Sequence, residues 1–237
     1  MLKKAFTHLP RLAALLLGAV AATSCVSKVP VSQSFWQDRQ AKVAVAVTTG
    51  SGKGAFYKEG NQGLLDIAIN SAMTTGPNRA LANLSPEPFR QIKGQFVTEL
   101  KKRGINAVAV PADLKFSDYP KLKGGSSGDA GRDYSPVFTA YQADYLVVLS
   151  LNAYGSIRPY YGFMPTGRPS GYAHATGFMI KRGSAQPSWN TGVGYDNRNV
   201  VPVEGEWDQG PEFKHLTEAS RRAVDNSRSY LIGNFFH

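Results

Sequence analysis

Six residues, Gly50-Ser51-Gly52-Lys53-Gly54-Ala55, follow an alternating valine run and fit the loose dinucleotide pattern G-x-G-x-x-A. That pattern binds a pyrophosphate only where a helix begins at once and turns its first amides toward the anion. Here the next helical spacing starts near Gly63, so the stretch reads as a flexible loop and no cofactor is expected. Ser126 or Ser127 with His174 and Asp129 supplies the residue types of a nucleophilic triad. No G-x-S-x-G elbow holds either serine rigid, and His174 reads as an ordinary strand residue. Glu204, Glu206 and Asp208 could do acid–base chemistry of the glycosidase kind, which needs two carboxyls held ~5–10 Å apart across a cleft. They fall in one short loop, where capping the last helix accounts for them. With one cysteine and four histidines at no metal-binding spacing, no metal site is expected. The chain reads as a non-enzyme.

Two loops carry more information. Arg158-Pro159-Tyr160-Tyr161-Gly162-Phe163-Met164-Pro165 concentrates aromatics in a connection between strands, and Val201 to Asp208 sets Trp207 among acids. Such connections usually carry polar residues, so exposed aromatics there mark a partner surface or an interfacial anchor. Tyr160, Tyr161, Phe163 and Trp207 are the expected contact residues. The competing reading is that both loops fold back over an open sheet face and complete the core.

The only cysteine closes an amino-terminal segment that reads as processing signal. Lys3, Lys4 and Arg11 precede an apolar run from Leu12 to Ala22, too short to span a bilayer comfortably, and Ala22-Thr23-Ser24 leads to Cys25. This arrangement resembles the bacterial lipoprotein signal, which implies lipidation of Cys25 as the first mature residue. An ordinary secretory signal or a simple membrane anchor are the alternatives; the position of the cysteine favours the lipid. Several acyl chains, at about 0.8 kcal/mol per buried methylene, hold a protein on a membrane essentially permanently. No Asp follows Cys25, and the location expected from the resemblance is the periplasmic face of an outer membrane.

Composition is that of a globular protein, 42% hydrophobic and 19% charged, with net charge +10. Residues 1–24 hold three basic residues and no acid, which leaves +7 on the mature chain. The basic residues are spread out apart from Lys101-Lys102-Arg103 and Arg221-Arg222, and an exported protein rarely meets nucleic acid, so none is expected as a partner.

Three parts position these groups: a signal over 1–24, a lipidated tether over 25–40 that docks through Phe35-Trp36, and one α/β domain over 41–237. Lys42 to Thr48 alternates with period two, a strand with a valine face and an alanine face. Leu64, Leu65, Ala68, Ala72 and Met73 predict a helix over 63–75. Ser85 caps a second, whose stripe Phe89, Ile92, Phe96, Val97, Leu100 ends at Gly104. Ile105–Val110 is a strand, 113–134 a surface loop, Ser135–Gln142 a short helix, and Tyr145–Leu151 the most hydrophobic strand. A hairpin follows from Gly171, turning at 181–187, and a helix over about 211–235 closes the chain. The order β-α-α-β-α-β-β-β-α predicts a mixed, partly parallel sheet with helices mainly on one face. Ala44, Ala46, Ala173, Ala175, Gly177, Gly192 and Gly194 are assigned to the other, less covered face.

Val43-Ala44-Val45-Ala46-Val47, Ala143-Asp144-Tyr145-Leu146-Val147-Val148, Trp189 just past a hairpin turn and the closing amphipathic helix together resemble a group of periplasmic lipoprotein domains. The group includes the curli-secretion lipoprotein, the Pel exopolysaccharide lipoprotein, the lipoprotein activators of penicillin-binding proteins and the amino-terminal part of the Tol propeller protein. The resemblance spans about residues 41–235. It implies a non-catalytic accessory or assembly role, with envelope proteins or further copies of the chain as partners. An oligomeric export or secretion-channel component is the alternative, and a cell-wall glycan hydrolase stands third.

Overall fold

The computed structural model describes residues 28–50, 52–60, 74–122, 130–192 and 197–237. Cys25, the serine and aspartate candidates at 126–129 and most of the helix expected over 63–75 lie outside these residues. In chain order the elements are α1 (Gln33–Gln37), β1 (Lys42–Thr48), β2 (Ala55–Glu59), α2 (Thr75–Ala82), α3 (Glu87–Arg90), α4 (Ile92–Lys102), β3 (Asn106–Ala109), α5 (Ser135–Tyr141), β4 (Tyr145–Tyr161), β5 (Met164–Pro165), β6 (Ser170–Lys181), β7 (Pro187–Asn190), β8 (Arg198–Pro202) and α6 (Lys214–Phe236).

One mixed sheet organises the molecule around β4, whose 17 residues are more than twice the length the hydrophobic run alone predicts. β1 runs parallel to its first half, Val43 opposite Tyr145 through Thr48 opposite Ser150, and β2 runs parallel to its second, Ala55 opposite Gly155 onward. β6 is antiparallel along the whole length, with a bulge between Leu151 and Ala153. β3 lies outside β1, and β7 and β8 pair with opposite ends of β6. The fold is the expected mixed α/β class, with β2, β5 and β8 added to the strands read from the sequence.

The larger core lies on the face carrying Val43, Val45, Val47, Val147 and Leu149, beneath α1, α2–α4 and α6. Ala173, Ala175 and Gly177 share this face, a correction to their assignment with Ala44 and Ala46. Small residues on this face of β6 admit close neighbours: a Cβ on Gly171 would stand 2.1 Å from the Ala219 backbone of α6, and one on Gly177 would stand 2.3 Å from the Trp189 ring of β7. The opposite face, with Ala44, Ala46, Leu146, Val148 and Ile180, is covered by Val137 and Phe138 of α5 together with Val110, Leu114 and Tyr134. The segment 113–134, expected as surface loop, therefore contributes Leu114 and Tyr134 to a second core.

Two helix bounds also differ from expectation. α2 begins at Thr75, where the sequence reading ends a helix at Gly76-Pro77. Pro77 stands in its first turn, where a missing N–H leaves no hydrogen bond unmade. The single helix expected after Ser85 divides at Gln91 into α3 and α4, with the Ser85 hydroxyl accepting from the Glu87 amide at 3.1 Å.

The amino-terminal segment docks as Phe35-Trp36 suggests, and more extensively. Val29 exchanges both backbone hydrogen bonds with Asn190, at 2.8 and 2.9 Å, adding a bridge to the β7 edge. Ser32 caps α1, and Phe35 is 1% exposed in edge-on contact with Trp36, Tyr145 and Phe235.

Candidate interaction surface

The aromatic connection between the two long strands is a hairpin. β4 continues through Arg158-Pro159-Tyr160-Tyr161, and Tyr161 pairs with Met164 across the two-residue turn Gly162-Phe163. Gly162 has φ 59° while Phe163 stays at negative φ, the pattern of a type II′ turn, whose twist matches that of the flanking strands. Strand alternation then separates Tyr160 from Tyr161.

Tyr161 is 76% exposed, Phe163 52% and Met164 54%. These three account for most of the exposed large hydrophobic side chains among the described residues. Tyr160 is buried on the helix face, so its ring is not presented for contact, which corrects its place in the expected set. Met164 is exposed across from Tyr161, which aromatic content alone did not indicate.

Trp207 occupies an intermediate position. Its ring stacks on Phe213, centroids 6.3 Å apart, and packs against the core. Arg158 joins this loop to the hairpin: its guanidinium lies 5.0 Å from the Trp207 ring and 5.9 Å from that of Tyr160, while Nε donates to the Gly167 carbonyl at 2.8 Å. The Thr166 amide donates to Pro159 at 3.0 Å, and the Arg168 guanidinium donates to the Gly205 carbonyl. The base of the tip is thereby fixed by cation–π and hydrogen-bond contacts, and the tip itself stands clear. Tyr160 and Trp207 fold onto the body; Tyr161 and Phe163 project.

Among the described residues, the other chemical candidates are not assembled into a reactive group. His174 lies on β6 opposite Arg198, and burial together with that cation lowers its pKa. Glu204 is paired with Arg222 at 2.6 Å, which holds its carboxyl below the usual range, the reverse of what a general acid requires. The glycine stretch at 50–55 leads into β2, not into a helix. Among the described residues no three His, Cys, Asp or Glu side chains could hold a metal ion, and no helix is long and apolar enough to cross a membrane.

No family model matches the chain, and no curated protein does. Among solved structures it is similar to the hypothetical protein CT253 from Chlamydia trachomatis, at 10% identity and TM-score 0.37, over 82% of this chain and 98% of that one. A PelC dodecamer from Paraburkholderia phytofirmans is similar at 14% identity and TM-score 0.29, over 86% and 92%. Lipoprotein GNA1162 from Neisseria meningitidis is similar at 10% identity and TM-score 0.24, over 79% and 99%.

Proposed function

We propose that the chain is a non-enzymatic lipoprotein of the bacterial envelope, lipidated at Cys25 at the periplasmic face of the outer membrane, whose domain works by contact. The partners are envelope proteins or further copies of itself. The observation that carries this reading is the tip of the β4–β5 hairpin. Tyr161, Phe163 and Met164 hold large apolar side chains in water on a turn whose base is cross-braced, and such exposure supports an interaction site. Trp207 and Arg158 support the tip from behind, and Tyr160 anchors it in the core.

The test is the double substitution Tyr161→Ala and Phe163→Ala in cells, read by crosslinking and by the size of the native complex. Both side chains are exposed, so stability should change by less than about 0.5 kcal/mol each, while crosslinked species disappear. Unchanged complexes from a folded double variant would refute the reading.

A further inference from the structure

Where β1 and β3 end, the chain departs to opposite sides of the sheet. After β1 it passes through the glycine stretch to β2 and then to α2–α4 over the larger core; after β3 it crosses to α5 on the other face. Crevices beyond the carboxyl ends of adjacent parallel strands whose connections diverge in this way are the ligand-binding places of open α/β sheets. This one is a cleft of about 530 Å³ lined in part by Thr48, Thr49, Gly50, Arg90, Asp113 and Lys115, a volume within the usual range for small-molecule sites.

Its polar wall is ordered by mutual contacts. Asp113 accepts from Arg90 Nε at 2.7 Å and from the Thr49 hydroxyl at 3.3 Å, and the Lys93 ammonium lies 3.8 Å away. Glu87 takes Arg90 Nη1 at 3.3 Å. The guanidinium is thus held from two sides, and Nη2, 3.5 Å from the Thr49 hydroxyl, is the nitrogen with no carboxylate contact among the described residues. Arg90 keeps 33% of its side-chain surface exposed, and Lys115 is exposed. Arg90, Lys93 and Lys115 outnumber Asp113 and Glu87 by one charge.

Gly50 and Gly52 also line the cleft. Gly50 and Gly52 adopt φ 52° and 68°, a region open to glycine at no steric cost. A Cβ on Gly50 would meet the Asn152 and Leu151 carbonyls at 3.1 and 3.3 Å, beside the β4 bulge. At Gly52 a Cβ would meet nothing within 4 Å, so the backbone there is open to approach. The Tyr154 hydroxyl fixes the loop, within hydrogen-bond reach of the Gly52 carbonyl at 2.9 Å and the Leu84 carbonyl at 3.1 Å.

We propose that this crevice binds a small oxyanion-bearing ligand, a phosphate or a carboxylate, between Arg90 Nη2, Lys115 and the glycine backbone. A planar guanidinium preoriented by acids on its other edges offers directed donors to such a group. The proposal does not rest on the hairpin tip.

The full chain in detergent is titrated with sodium phosphate and, separately, with sodium succinate, at ionic strength held constant with sodium chloride, and followed by thermal unfolding. A saturable rise in Tm of roughly 3–5 °C at ten times Kd is expected for the oxyanion that fits, and the two titrations tell phosphate from carboxylate. The pair Arg90→Gln with Asp113→Asn keeps a neutral partner for each side chain and should abolish the rise. Lys115→Ala removes an exposed side chain, leaves folding intact and should weaken binding about tenfold. The proposal is overturned if neither salt gives a saturable rise, or if Lys115→Ala and the paired variant respond as the native chain does.

Discussion

His174 shows how a residue that resembles part of a triad acts instead through its surroundings. It is half-buried on β6, directly opposite Arg198, which itself pairs with Glu59 at 2.9 Å and lies over the Tyr172 ring. Burial first, and the guanidinium second, lower the imidazole pKa from its ordinary 6.5. The unfolded chain therefore takes up a proton on His174 at higher pH than the folded chain does. The stability linked to this residue is fully present above pH 6.5 and is lost as pH falls from there through the lowered folded value. Urea-midpoint measurements across pH 5–7 should show stability declining by less than the ~1.4 kcal/mol per pH unit that one whole proton gives. His174→Gln should flatten that slope. Glu204, Glu99 and Asp133 have lowered pKa values too, through hydrogen bonds from Arg222, Lys102 and Ser135, and they titrate below 4.5. They leave the histidine window clean. Equal slopes for the native chain and the variant would show that His174 is not the group responsible.

At the scale of elements, the close seat of α6 on β6 is sensitive to a single change. Gly171→Ala would drive a Cβ to 2.1 Å from the Ala219 carbonyl carbon and oxygen, backbone against backbone, where no side-chain rotation relieves it. The expected cost is about 3 kcal/mol, the upper part of the overpacking range. It would be read as a lowered urea midpoint at unchanged slope; Thr176→Ala, on the opposite face, should cost less than about 1 kcal/mol. A loss at Gly171 no larger than at Thr176 would mean that the helix can lift off the strand cheaply. The same contact shows where the sequence was readable. Period two identified β1 and β6 and the alternation within each. It could not tell which alternate face of one strand meets which face of the next, because that is set by register: Val43 opposite Tyr145, and Tyr145 opposite Lys181. β2 and β8 were unreadable for a related reason. Ala55–Glu59 stands in a glycine-rich stretch and is a strand only because the far half of β4 lies beside it. That half of β4 was itself hidden by Gly155, Arg158 and Pro159. Gly155 adopts φ 131° where Ala55 presses within 2.1 Å of the position a Cβ would take. Of the exposed residues at the tip, Tyr161 and Phe163 were legible as aromatics in a connection. Tyr160 was misplaced because a loop reading gives neighbouring residues one environment, whereas a strand gives them opposite ones.

For the molecule as a whole, the consequence concerns how the proposed anchor and the proposed contact tip are spaced. The segment expected as a tether over 25–40 is structured from Lys28 onward, through the Val29–Asn190 bridge, α1 and the aromatic contacts of Phe35 with Phe235. Only three residues separate Cys25 from Val29, four Cα–Cα steps with a reach of at most ~14 Å. A lipid on Cys25 would therefore hold the β7 edge of the sheet close to the bilayer, with no long leash. Asn190 is in register with Phe178, and Phe178 with Val148, while Tyr161 lies thirteen residues farther along β4. At ~3.3 Å per residue that is about 43 Å, so anchor and tip occupy distant parts of one rigid sheet and act as separate attachments. Cys25→Ser should accordingly move the protein from the membrane fraction to the soluble periplasmic fraction. Its urea midpoint should stay unchanged, since Val29 and Phe35 dock through the polypeptide and not through the lipid. A tryptic peptide bearing acyl mass on Cys25 in the native chain, absent from the variant, completes the expected pattern. Retention of Cys25→Ser on membranes after alkaline washing would show that something other than this lipid fastens the protein there, and the division of labour between anchor and tip would fall with it.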